Sequence, residues 1–124
     1  MSEPLPRRFA PEIFRKRMLI EGYFARAQLD ADAIREYFRA LTARLGLRTY
    51  GEPIVHQTSG QGKASNEGYD AFVPLIDSGI YVCVWSARRF VSVILYTCAE
   101  FDVDAAGDAT RGFFELTEWE TALF

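Results

Sequence analysis

Three closely spaced apolar runs constrain the fold of this chain more than any other feature of its sequence. They cover residues 69–76, 80–85 and 90–97, and they are rich in Val, Ile, Tyr and Phe. Such residues favour strands, and the short polar breaks between the runs leave room only for tight connections. The pattern therefore predicts three consecutive antiparallel strands.

The clearest helical pattern follows Asp30, which is a typical N-cap residue. Apolar residues recur after it at spacings of three and four, which places them on one side of a helix. These residues are Ile34, Tyr37, Phe38, Leu41 and Leu45. Gly46 is typical of the position just after a helix, so we expect a helix between Asp30 and Gly46.

The remaining segments complete an order of β-α-β-β-β-β-α-β. They are predicted as strands over residues 18–25, 48–56 and 118–124, a polar loop over 57–67, and a second helix from Asp104 to Leu116. Each helix has one apolar stripe, so both are expected to cover the same face of a mostly antiparallel sheet. The predicted fold class is α+β, a single two-layer α/β sandwich.

No linker or repeat divides the chain, so residues 1–16 are predicted to be an N-terminal arm and residues 17–124 a single domain. The predicted strands over residues 69–76 and 90–97 are apolar on both sides. The face of the sheet away from the helices therefore also needs cover. We expect a homodimer that buries this face.

Composition excludes several classes of partner. The net charge of −3 gives no positive electrostatic potential that would attract a polyanion. The one basic cluster lies in or beside the predicted arm, so no nucleic-acid partner is expected. No apolar run approaches the roughly 18 residues of a membrane helix, and the start of the chain lacks the apolar core of a signal peptide. We therefore expect a cytoplasmic protein with no membrane partner, and two cysteines fit a reducing compartment.

Two stretches imitate ligand-binding motifs but lack essential positions. Residues 60–63 lack the upstream glycine and the hydroxyl residue after lysine that a phosphate-binding loop requires. Residues 102–104 resemble the start of a calcium loop, but Ala106 and Phe113 stand where ligands are needed. No metal site is predicted.

The last two of the three apolar runs predict a hairpin with a testable register. If Ser86 faces Arg89, the same register places Asp77 opposite Cys98. A thiol is then expected beside an Asp-Ser-Gly junction at a strand end. Cys83 would lie roughly 15 Å or more from Cys98 along the hairpin, too far for a disulfide, so two free thiols are expected.

This segment resembles the core of the bacterial and archaeal S-adenosylmethionine decarboxylase proenzymes. In that family a serine is followed five residues later by a histidine and then by a tryptophan, and Thr-Cys-Gly-Glu follows after another strand. The corresponding positions here are Ser78, Cys83, Trp85 and residues 97–100, which read Thr-Cys-Ala-Glu. The resemblance covers residues 17–116.

The resemblance implies a pyruvoyl-dependent enzyme. Cleavage would fall between Asp77 and Ser78, and Ser78 would become a pyruvoyl group, the electron sink for decarboxylation. Cys98 would be the proton donor after carbon dioxide leaves. The implied function is decarboxylation of S-adenosylmethionine or a related amino acid in polyamine biosynthesis.

The chain also departs from the family pattern. Cys83 stands at the position of the processing histidine, and Asp70 stands where a serine assists processing. Ala87 replaces an acidic contact to the substrate ribose, and the sole histidine, His56, falls on another strand. These changes leave open an unprocessed relative that acts as a ligand-binding or regulatory module.

Three further side chains are candidates for contact with a small-molecule substrate: Glu67, Trp85 and Glu100. A third alternative is an enzyme without a pyruvoyl group, in which Asp70, Glu67 or Cys83 would perform lyase or hydrolase chemistry.

Overall fold

The computed structural model describes residues 8–124, in which six strands form one antiparallel sheet and two helices pack against it. The elements are β1 (Lys16–Phe24), α1 (Ala31–Leu45), β2 (Ile54–Thr58), β3 (Gly68–Leu75), β4 (Ser78–Trp85), β5 (Phe90–Thr97), α2 (Val103–Phe114) and β6 (Leu116–Leu123). The strand order is β2-β3-β4-β5-β1-β6. The predicted α+β class and element order are confirmed. Residues 1–7, which are part of the predicted N-terminal arm, lie outside the described residues.

The caps of α1 are those that the sequence predicts. The Asp30 carboxylate accepts a hydrogen bond from the backbone N–H of Ala33 at 2.9 Å, and Gly46 takes the left-handed conformation at φ 68°. Because both ends are satisfied, the apolar stripe can be buried without unpaired backbone groups. Tyr37 lies in this stripe, and its hydroxyl bonds with the Thr110 hydroxyl of α2 at 2.8 Å.

The second helix begins at Val103, and its N-cap lies two residues before Asp104, the residue that the sequence predicts to open the helix. Asp102, not Asp104, is the N-cap, and its carboxylate accepts a hydrogen bond from Ala105 N at 3.0 Å. Asp104 lies in the first turn, where a negative charge also favours the helix dipole. The helix ends at Phe114, and Leu116 belongs to β6 instead.

The predicted register of the β4–β5 hairpin is confirmed. Trp85 pairs with Phe90 and Gly79 pairs with Tyr96, so the pairing keeps the predicted register up to the residue after Ser78. Strand β2 extends to Thr58, two residues into the predicted loop, because it pairs with the first residue of β3.

The two faces of the sheet differ sharply. One face carries the buried residues of the core, such as Val82 and Val93, and packs against the helices. The opposite face, here called the open face, carries exposed aromatic and aliphatic side chains of the central strands, namely Phe72, Tyr81, Ile94 and Tyr96.

A line of polar residues crosses the open face at one height and is here called the polar row. Each member is the cross-strand partner of the next, in the order His56, Asp70, Cys83, Ser92, Glu21, Glu120. Neighbours in such a row have Cβ atoms about 5 Å apart, so adjacent side chains can interact.

Candidate functional site

The junction, the peptide bond between Asp77 and Ser78, lies in a tight hairpin. Leu75 of β3 pairs with Ser78 of β4, so only two residues turn the chain. Asp77 has a φ of 55°, in the left-handed region that favours glycine. A non-glycine residue there is held at a cost of roughly 1–2 kcal/mol, so the backbone is strained on the N-terminal side of this bond.

The structure places Ser78 and Cys98 beside each other. The Ser78 Oγ accepts a hydrogen bond from the Cys98 backbone N–H at 3.0 Å, and both residues are half-buried. Cys98 directly follows β5, where the Thr97 hydroxyl donates to the Ala99 carbonyl at 2.7 Å and fixes the turn. The sequence-predicted pairing of this thiol-bearing residue with the junction is therefore observed.

A cavity of about 380 Å³ opens beside the junction on the open face. Asp77 and Ser78 line it together with Phe72, Gly79, Tyr81, Ile94 and Tyr96. The walls are mostly apolar and aromatic, as is common for a small-molecule site. A ligand in this cavity can reach the bond between Asp77 and Ser78.

The structure also brings Asp70 and Cys83 together. The Cys83 thiol donates a hydrogen bond to Asp70 Oδ1, with 3.4 Å between sulfur and oxygen. Burial, and after it the neighbouring carboxylate, raises the pKa of the Cys83 thiol above its ordinary value. Hydrogen bonding with Cys83 is the main cause that raises the pKa of Tyr81 to about 12. Cys83 and Tyr81 therefore both keep their protons at neutral pH.

Asp70 and Cys83 do not lie at the junction of their own chain. Cys83 follows Ser78 by five residues along β4, which at roughly 3.3 Å per residue separates them by about 16 Å. Of the four predicted processing residues, the structure thus joins Asp77 with Ser78, and Asp70 with Cys83, as two separate pairs.

The candidate substrate contacts lie apart from one another. Trp85 packs against Phe90 with ring centroids 5.4 Å apart, and it lines a second cavity of about 610 Å³ beside Asp70. Glu67 is exposed, and its carbonyl accepts a hydrogen bond from the Ser86 N–H at 2.9 Å.

Glu100 is exposed near the junction end of the sheet. Its carboxylate forms an ion pair with Lys16, and the hydrogen bond from this lysine is the main cause that lowers the pKa of Glu100. The Lys16 ammonium also donates to the Phe101 carbonyl at 3.0 Å. The pair anchors the turn after β5 to the start of β1, which supports the position of Cys98.

Sequence reasoning did not place His56, Ser92 and Glu21 in one row with Asp70 and Cys83. Ser92 donates to Glu21 Oε2 at 2.9 Å, so this part of the row is also hydrogen-bonded. Alternation along each strand assigns these residues to one face. The strand pairings that align these residues are long-range, since a long loop connects β2 with β3 and β1 pairs with β5 from a distant part of the chain.

Among residues 8–124, no group of three or more His, Cys, Asp or Glu side chains could hold a metal ion. Within the same residues, neither helix has the length and hydropathy needed to cross a membrane.

Comparison with known proteins gives one family and one fold. The family model described as S-adenosylmethionine decarboxylase matches residues 16–123. The crystal structure of the adenosylmethionine decarboxylase from Aquifex aeolicus VF5 is similar at 18% sequence identity, with a TM-score of 0.67, over 90% of this chain and 89% of that chain. No curated protein matches the sequence.

Proposed function

The chain belongs to the S-adenosylmethionine decarboxylase family, and from this premise we propose that it is a pyruvoyl-dependent decarboxylase. Its substrate is S-adenosylmethionine or a related amino acid of polyamine biosynthesis, and it matures by cutting itself at the junction. The observation that carries the proposal is the contact between Ser78 Oγ and the Cys98 N–H beside a strained Asp77.

The geometry at the junction suits the first step of self-cleavage. The Cys98 N–H occupies one lone pair of the Ser78 oxygen and orients it, while the hydroxyl proton stays free to leave. Attack of this oxygen on the Asp77 carbonyl carbon forms a C–O bond and breaks the C–N bond between Asp77 and Ser78, and the hydroxyl proton ends on the released nitrogen of residue 78. Loss of the left-handed strain at Asp77 favours this step.

The same residues fit the pyruvoyl group that the family uses. When present, that group supplies a carbonyl into which electrons move as carbon dioxide leaves the substrate. The backbone N–H of Cys98 is a donor for the oxygen atoms at position 78, and this contact keeps the residue that carries the thiol beside position 78, where it can deliver a proton. The cavity beside the junction surrounds the reacting atoms with mostly apolar side chains.

We further propose that a second copy of the chain covers the open face. Phe72, Tyr81, Ile94 and Tyr96 are each between 37% and 43% exposed, although they lie on inner strands of the sheet. Sheets packed face to face lie about 10 Å apart and bury such side chains.

A cytoplasmic location is part of the proposal, because both cysteines are free thiols within the described residues.

Intact mass spectrometry of the purified protein under denaturing conditions tests the proposal. Self-cleavage gives fragments of residues 1–77 and 78–124, the second blocked by a carbonyl that borohydride reduces. Ser78→Ala, which removes only the attacking oxygen, stays in one piece. A wild-type chain that remains whole and carries no reducible carbonyl contradicts the decarboxylase assignment.

The state of Cys83 favours a second candidate function. Its thiol is protonated at the position where the family has a processing histidine, and so it is a poor base. An unprocessed chain would act as a ligand-binding or regulatory module. Calorimetry with S-adenosylmethionine tests this module, both on the wild-type chain and on Ser78→Ala, which cannot be cut. Binding by an uncut wild-type chain supports the module, and absence of binding contradicts a ligand-sensing role.

A further inference from the structure

We propose that Lys16 is a positioning residue for the proton transfer from Cys98. Its ammonium fastens the turn that follows β5, and this fixes where the proton of the Cys98 thiol is delivered. The inference rests on the proposed function. It deepens that function by naming a residue that does not line the cavity beside the junction and yet decides which product is formed.

The position of Cys98 does not come from strand pairing. The pairing of β5 with β4 ends at Tyr96, and its pairing with β1 ends at Thr97, so among residues 8–124 Cys98 has no cross-strand partner. The next two residues, Ala99 and Glu100, are exposed. A segment of this kind opens more easily than a paired strand, so its geometry depends on the side chains that hold it.

Lys16 holds the far end of this turn with one ammonium group. It is the first residue of β1 and the cross-strand partner of Thr97. Its Nζ forms the ion pair with the Glu100 carboxylate, donates to the Phe101 carbonyl at 3.0 Å and lies 4.6 Å from the centroid of the Phe101 ring. The Glu100 carboxylate in turn accepts a hydrogen bond from the Phe101 N–H at 3.1 Å.

All of these groups attract a cation. A carboxylate, a carbonyl oxygen and the face of an aromatic ring each present negative potential to an ammonium group. The Lys16 side chain is only 12% exposed, so water competes little for these contacts. Phe101 is buried in the core. Removing the charge of Lys16 is therefore expected to loosen the turn from β1 while Phe101 stays in place.

The near end of the turn is tied to the junction. The Cys98 N–H donates to Ser78 Oγ at 3.0 Å, and the Thr97 hydroxyl donates to the Ala99 carbonyl at 2.7 Å. The residue that carries the thiol thus lies between two attachment points, Ser78 at one end and Lys16 at the other. A displacement of about 1 Å at a reacting group is enough to change a rate about 100-fold.

Two carbon atoms compete for the proton after carbon dioxide has left. Protonation of the substrate carbon gives the amine product and restores the carbonyl at position 78. Protonation of the carbon at position 78 instead leaves the substrate nitrogen there as an amino group, so residue 78 becomes alanine and the substrate leaves as an aldehyde.

The second outcome is balanced without another reactant. The electron pair released with carbon dioxide ends in the new C–H bond at position 78. The water that is released when the substrate amine joins position 78 is taken up again when the aldehyde leaves. Each such event inactivates one molecule of the protein, so the position of the thiol decides how many turnovers it completes.

Lys16→Met tests the inference, because methionine keeps an apolar stem and removes the ammonium. N-terminal sequencing of the fragment that begins at residue 78 reads alanine, whereas a fragment blocked by a carbonyl gives no signal. During turnover of S-adenosylmethionine, Lys16→Met is expected to accumulate about tenfold more alanine at position 78 per amine product than wild type. Loss of stability alone does not change this ratio, because every folded molecule divides its products in the same way.

Two matched variants separate positioning from charge in general. Lys16→Arg keeps a cation at this site and is expected to restore most of the wild-type ratio. Arg39→Met removes a different ion pair, which Arg39 forms with Glu36 on the surface of α1, and it is expected to behave as wild type.

Hydrogen exchange of the substrate-free protein gives a readout that needs no turnover. In Lys16→Met the Cys98 N–H is expected to exchange about tenfold faster than in wild type, whereas the N–H of Tyr37 in the buried stripe of α1 changes less. Equal acceleration of both groups would mean that Lys16 is only structural and would overturn the inference.

The remaining outcomes also decide the matter. A Lys16→Met protein that forms the amine with the wild-type ratio overturns the inference and leaves the proposed function intact. If Lys16→Met does not fold or is not cut, Glu100→Gln decides, because Glu100 is exposed and the variant keeps the Lys16 contact with the Phe101 carbonyl.

An alanine ratio of Glu100→Gln about threefold above wild type supports the inference in that case, as for loss of one partly exposed ion pair, and a wild-type ratio overturns it. A wild-type chain that stays whole and makes no amine product overturns the proposed function, and the inference with it.

Discussion

Replacing Asp77 with glycine tests whether strain at the junction contributes to cleavage. At a φ of 55°, a residue with a Cβ atom is disfavoured by roughly 1–2 kcal/mol, and aspartate, which tolerates this region, lies near the lower value. Glycine removes that strain, but its greater conformational freedom in the unfolded chain destabilises the folded state by roughly 0.5–1 kcal/mol. The net expectation is a small stabilisation of the uncut chain, about 0.5 kcal/mol.

Two assays measure the two consequences. Urea unfolding in the Ser78→Ala background compares the free energy of unfolding with and without Asp77→Gly. Intact mass over time, with Ser78 present, gives the cleavage rate. If about 1 kcal/mol of strain is released before the transition state, Asp77→Gly slows cleavage about fivefold.

Asp77→Asn is the matched control, because asparagine also tolerates the left-handed region and lacks the charge. It is expected to match wild type in both assays. Cleavage of Asp77→Gly at the wild-type rate, or equal slowing by Asp77→Asn, would refute the role of strain.

Three further predictions follow from contacts elsewhere in the fold. Tyr37→Phe removes the buried hydroxyl pair with Thr110 and is expected to lower the free energy of unfolding by about 1 kcal/mol, measured in urea. Asp70→Asn removes a hydrogen bond and a charge that raise the pKa of Cys83. This thiol is therefore expected to react faster with an alkylating reagent at pH 8, as measured by the mass of the peptide that contains Cys83. The pKa of Glu100 is lowered in the folded state, so its contribution to stability is present above its unfolded pKa of about 4.3 and is lost as pH falls through the lower folded value. Glu100→Gln is therefore expected to reduce the loss of stability between pH 6 and pH 3, whereas an unchanged loss would contradict the assigned ion pair.

The sequence predicted the parts of the fold that local chemistry decides. Asp30 and Gly46 are residue types that end helices, and both do so here. The β4–β5 register followed from a short hairpin, and it correctly placed Cys98 beside the junction. Short connections and caps act over a few residues, so one sequence is enough to interpret them.

The polar row could not be predicted in the same way. His56 reaches Asp70 only through the pairing of β2 with β3, which a loop with two short 3-10 turns connects. Glu21 reaches Ser92 because β1, from the start of the chain, lies beside β5. Long-range pairings of this kind depend on the whole sheet and have no local signal.

The strand order has a consequence for a chain cut before residue 78. The first piece would hold β1, α1, β2 and β3, and the second would hold β4, β5, α2 and β6. Because β1 lies between β5 and β6, the two pieces are interleaved and share three seams of backbone hydrogen bonds, at β3–β4, β5–β1 and β1–β6. Cutting the turn would leave the pieces bound as one body, and neither piece contains the neighbours that its own strands need in order to fold alone.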